Sequence, residues 1–177
     1  MRNGRSFVAA GTLVVAFLPV PVSAASGMED CPMHAQHASS SGHQHQSDRG
    51  EKGMGFSQEK TTHHFALARD GGRIQVTANA TDDQVTVEQV RSHLKHIAVA
   101  FREGDFAIPM FVHEQTPPGV PAMKRLRSAI SYQYEGRPDG GAVVIRSKNP
   151  EAIAAVQEFL RFQIREHETG DPLQASP

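Results

Sequence analysis

Cys31, Met33, His34, His37, His43 and His45 crowd residues 31–45 of a chain with one cysteine and ten histidines. Thiolate and thioether favour Cu(I), and imidazole also accepts Cu(II), Zn(II) and Ni(II). The surrounding run, CPMHAQHASSSGHQHQSDRGEKG, has almost no aliphatic content and cannot bury enough surface to fold alone. Such donors on such a segment read as a flexible capture site, with copper first and zinc second. A further set follows: His63, His93, His96 and His113. His93 and His96 are three apart in VEQVRSHLKHIAVAFRE, where Val87, Val90, Leu94, Ile97 and Phe101 mark an amphipathic helix. The two imidazoles therefore share one flank. With His63 from a strand and His113 from an apolar loop beside Met110, they supply the three or four donors that a zinc or copper site takes.

Packing is the competing role for that pair. The segment VRSHLKHIAVAFREGD recurs about seventy residues on as VQEFLRFQIREHETGD, with Phe159 and Phe162 in place of His93 and His96. Two imidazoles set against two phenyl rings make an ordinary aromatic contact. Other chemistry lacks its signatures. There is no Gly-x-Ser-x-Gly elbow and no glycine-rich phosphate loop, so nucleophilic catalysis has little to recommend it, and no His-Glu-x-x-His motif marks a metal site.

The elements that must position these side chains are legible. THHFALAR alternates, with His63, Phe65 and Leu67 on one face, and RIQVTAN alternates after an Asp70-Gly71-Gly72 turn signal. ISYQYE and AVVIRS flank a second turn signal, Asp139-Gly140-Gly141. The first long helix begins after Thr81-Asp82-Asp83 and stops at Gly104; the second begins at Asn149-Pro150-Glu151 and stops near Glu168. Between the halves, residues 105–122 hold four prolines, which predicts an irregular insert, with a short helix over 123–128. The fold expected is α+β: a two-layer sandwich from a ββα duplication. Its four-stranded, mostly antiparallel sheet carries both helices on one face and a polar opposite face with His64, Gln75, Thr77, Gln133, Glu135 and Arg146.

Address and boundaries follow from composition. Arg2 and Arg5, an apolar run from Phe7 to Val22, and Val22-Ser23-Ala24 read as a signal peptide over residues 1–25. That places the chain in the periplasm or outside the cell, with no membrane segment after cleavage. Residues 26–60 read as a tether, 61–172 as the folded domain and 173–177 as a disordered tail. The formal net charge is -1, from 18 basic and 19 acidic residues, so no basic field is offered to nucleic acid. The lone Cys31 is a free thiol, half of an intermolecular bridge or a metal ligand.

Two resemblances add to this reading. Cys31-Pro-Met-His34 resembles the CPMH motif of heavy-metal-binding segments in bacterial copper and silver handling proteins. It implies a metal ion as ligand and another exported metal-handling protein as partner. MGF, TTHHF, RSHLKHI, PMFVH, PPGVPAMKRL and EFLRFQIREHETGDP, spread over residues 54–172, resemble a family of small exported bacterial proteins without an established function. Some of its members carry the label aspartate carbamoyltransferase, but the Ser-Thr-Arg-Thr loop and His-Pro-x-Gln element of that enzyme are absent. The resemblance thus implies domain boundaries and no chemistry. The leading expectation is an exported metal-binding protein. The alternatives are a small enzyme or ligand-binding domain using the histidines of the folded part, and a structural or partner-binding module.

Overall fold

Strict two-residue alternation makes both hairpins. β1 (Thr61–Ala68) pairs antiparallel with β2 (Gly71–Ala78), and β3 (Ile130–Arg137) with β4 (Gly140–Ser147). The structure, a computed structural model, describes residues 49–175. β2 and β4 then pair antiparallel with each other, so the sheet runs β1-β2-β4-β3. The turn glycines serve this central pairing as much as the turns. A Cβ on Gly71 (φ 142°) would lie 2.2 Å from the Ile145 carbonyl oxygen, and one on Gly140 (φ 157°) 2.3 Å from that of Val76. Each glycine therefore lets its hairpin lie flush against the other.

The helices form where the caps indicate. In α2 (Gln84–Glu103) the Asp83 carboxylate accepts a bond from the Thr86 amide, and left-handed Gly104 closes the C-terminus. In α5 (Pro150–Glu166) Asn149 Oδ1 accepts from the amides of Glu151 and Ala152. Phe65, Ile74, Val76, Ile130, Tyr132, Val143 and Ile145 of the sheet share one core with Val90, Leu94 and Phe101 of α2 and Val156, Phe159 and Leu160 of α5. On the alternate strand positions, His64, Gln133, Glu135 and Arg146 are exposed, and Gln75 and Thr77 partly so. The fold is α+β with an open antiparallel four-stranded sheet, as expected.

Three local expectations fail. Residues 105–122 are largely helical: α3 is Ala107–His113 and α4 Val120–Arg125. The prolines do not object, because Pro109 and Pro121 fall within first turns, whose amides have no intrahelical partner to lose. Residues 49–60, polar enough to read as tether, belong to the fold. Helix α1 covers residues 49–54, and Phe56 is buried in the core with only 4% of its surface exposed. At the other end, Leu173 accepts a backbone bond from Arg161 Nε, and Ala175 packs against the core. Among the described residues no helix is long and apolar enough to cross a membrane.

Candidate histidine pocket

Each domain histidine reaches its place for a local reason. His63 takes the inward position of β1 between Thr61 and Phe65, opposite Val76 of β2. His93 sits on the flank of α2, one position before the core residue Leu94. His113 ends α3 and is buried, its side chain 1% exposed. These three line one apolar pocket of about 60 Å³, walled by Val76, Leu94, Phe101 and Phe159. That volume suits roughly two waters or one small ligand. His96, three residues from His93, stays exposed in a surface groove that adjoins the pocket.

Sequence reasoning missed the central member. His167, the C-cap residue of α5, also lines the pocket. Its ring lies nearly parallel to that of His63, at 12° with centroids 5.6 Å apart, and edge-on to that of His113 at 5.1 Å. The internal repeat held the signal. His167 occupies the place that the first half gives to Phe101, a buried core position. Met54 and Gln163, also on the pocket wall, carried no such mark.

The expected pairing of His93 and His96 with Phe159 and Phe162 does not form. The ring against His93 is Phe56, edge-on at 5.4 Å, and Phe56 also stacks on His63 at 6.0 Å. Phe162 instead meets His113 at 5.0 Å, while Phe159 packs with Phe101 and Phe106. A helical wheel gives the flank of a residue and not which neighbour covers that flank. Here the folded segment 49–60 does so.

Burial decides the charge state. It lowers His63 to about 4, aided by the nearby His64, and His93 to about 4, aided by His63 and His96. It lowers His167 to about 3, aided by His63 and His113. His113 is lowered by burial too, against the opposing pull of Gln163 and Glu166. At neutral pH the pocket therefore holds uncharged imidazoles, each with a lone pair. Gln163 joins them: its Oε1 lies 3.2 Å from His113 Nε2, while its buried Nε2 has no hydrogen-bond partner among the described residues.

Neutral imidazoles with the Met54 thioether are donors of the kind that soft and borderline metal ions take. Among the described residues, however, no three His, Cys, Asp or Glu side chains converge as a metal-binding group. Any ion in the pocket would have to draw the rings together by side-chain rotation. Cys31, Met33, His34, His37, His43 and His45, like residues 1–25, over which a signal peptide is expected, lie outside the described residues. No family model, curated protein or solved structure matches the chain.

Proposed function

We propose that this chain is an exported metal-binding protein, copper foremost, whose Cys/Met/His segment captures the ion and whose folded domain holds it in the histidine pocket. One observation carries the reading. Four imidazoles from β1, α2, α3 and the end of α5, far apart in sequence, line a single apolar pocket and are uncharged at pH 7. His113 is buried and the other three are partly buried; gathering four titratable rings in an apolar pocket costs stability, so their assembly favours a use for their lone pairs. The test is Cu(I) uptake by the full-length chain against a competing chelator. A variant with Cys31, Met33, His34, His37, His43 and His45 replaced by serine is expected to retain binding, and adding His63→Phe and His167→Phe is expected to remove the ion held in the pocket. No uptake by the serine variant would sink the assignment of the pocket.

A second reading rests on Gln163. Its buried Nε2 is a donor without an acceptor among the described residues, as in a site for a small uncharged ligand. In metal-free protein, a rise in thermal midpoint with a small heterocycle such as pyrazole, lost in Gln163→Leu, would favour it. Metal uptake that persists in Gln163→Leu would favour the first.

A further inference from the structure

The pocket has a neighbour on the surface. Met54, His93 and Ile108 line both the pocket and the adjoining groove, and the groove adds His96. His93 and His96, one helical turn apart, stand on the same flank of α2. Beyond His93 the rings continue inward: His93 and His63 both pack on Phe56, His63 stacks on His167 at 5.6 Å, and His167 meets His113 edge-on at 5.1 Å. Five imidazoles thus run from solvent to the inner end of the pocket, and Met54 stands where the outer part meets the inner.

Met54 is placed rather than loose. Its segment is held on one side by Phe56, buried in the core and packed on His63 and His93. On the other side Gly53 lies against α3, where an added Cβ would come 3.3 Å from Val112 and 3.4 Å from Phe111. The donor set of this groove is therefore two imidazoles and one thioether. It differs from the inner pocket in holding one solvent-exposed imidazole, so an ion can arrive hydrated and shed water in steps. A thioether discriminates by softness: it adds affinity for a monovalent d10 ion and little for Zn(II).

We infer that Met54, His93 and His96 form an outer loading site for a soft monovalent cation, Cu(I) or Ag(I), from which the ion passes inward along the imidazole series. This rests on the reading that the domain handles a soft metal, and its test separates the two. The probe is Ag(I), which needs no reductant, added to the full-length chain with Met28, Cys31, Met33, His34, His37, His43 and His45 replaced by serine. Silver–sulfur scattering in X-ray absorption is expected, and Met54→Leu removes it. Met54→Leu and His96→Gln each weaken Ag(I) binding at least about tenfold, a loss already seen when mere supporting residues of metal sites are changed. Zn(II) affinity is unchanged in Met54→Leu. Leucine preserves the volume of Met54 and His96 is exposed, and circular dichroism confirms that both variants fold. If both bind Ag(I) as the parent does, or no sulfur is seen, the outer site is overturned. Should His63→Phe with His167→Phe then lose the ion, the inner pocket survives that failure. Loss in the outer variants alone would leave the groove standing and remove the pocket.

Discussion

Protonating His63, His93 or His167 would place a charge among other imidazoles in an apolar pocket, and the fold resists it. The folded values are about 4, 4 and 3, against roughly 6.5 in an unfolded chain. The sign follows. Below pH 6.5 the unfolded chain takes up protons that the native state refuses, so stability is full above that value and is lost as pH falls toward 4. Each such ring steepens the loss of stability across that window. The unfolding midpoint, measured by thermal melting against pH, is therefore expected to drop steeply between about pH 6 and 4. His167→Phe, which installs the residue found at the matching place in the first half, is expected to flatten that drop. An unchanged profile would show that the ring of His167 is not kept neutral by the fold.

Each hairpin depends on its Asp-Gly-Gly turn for two separate reasons. The turn itself needs a two-residue connection, and the central pairing of β2 with β4 needs the absence of a Cβ at Gly71 and Gly140. Gly140→Ala is expected to lower the free energy of unfolding by about 2 kcal/mol or more, because it adds a positive-φ penalty to a backbone clash. Gly136→Ala provides the control. The atoms nearest to an added Cβ there belong to the Tyr134 side chain, its hydroxyl oxygen first at 3.4 Å, and the change is expected to stay within about 0.5 kcal/mol. Urea denaturation of the two variants reads the difference. Equal losses would mean that the close strand approach is not the reason for the glycine.

At the scale of the molecule, the segment 49–60 decides what covers the pocket. Phe56 lies in the core and touches both His63 and His93. Phe56→Ala is expected to cost about 3 kcal/mol, the lower end for truncating a buried phenylalanine. It is also expected to raise the folded-state pKa of His63 and His93 toward 6.5 by admitting water. Histidine ring signals followed by NMR against pH report the second effect. A loss below about 0.5 kcal/mol would be the behaviour of a tether residue instead.

Period-two alternation, Asp-Gly-Gly spacing, cap residues and apolar stripes are local, and they sufficed to determine four strands, two long helices and the α+β class. The same local character explains the misreadings. Proline count suggested an irregular insert over residues 105–122, whereas only position within a turn decides whether a missing amide matters. A polar composition hid Phe56, a single anchor whose partners lie in β1 and α2. The sequence also determined which donors exist: ten histidines, six methionines and one cysteine. Which of them meet was decided by tertiary structure alone. His63, His93, His113 and His167 are brought together by strand order and by α3 and α5 closing over the same core. His96, one turn from His93, is left outside. Burial by distant segments, and not spacing along the chain, is what makes one imidazole a neutral pocket group and the other an exposed one.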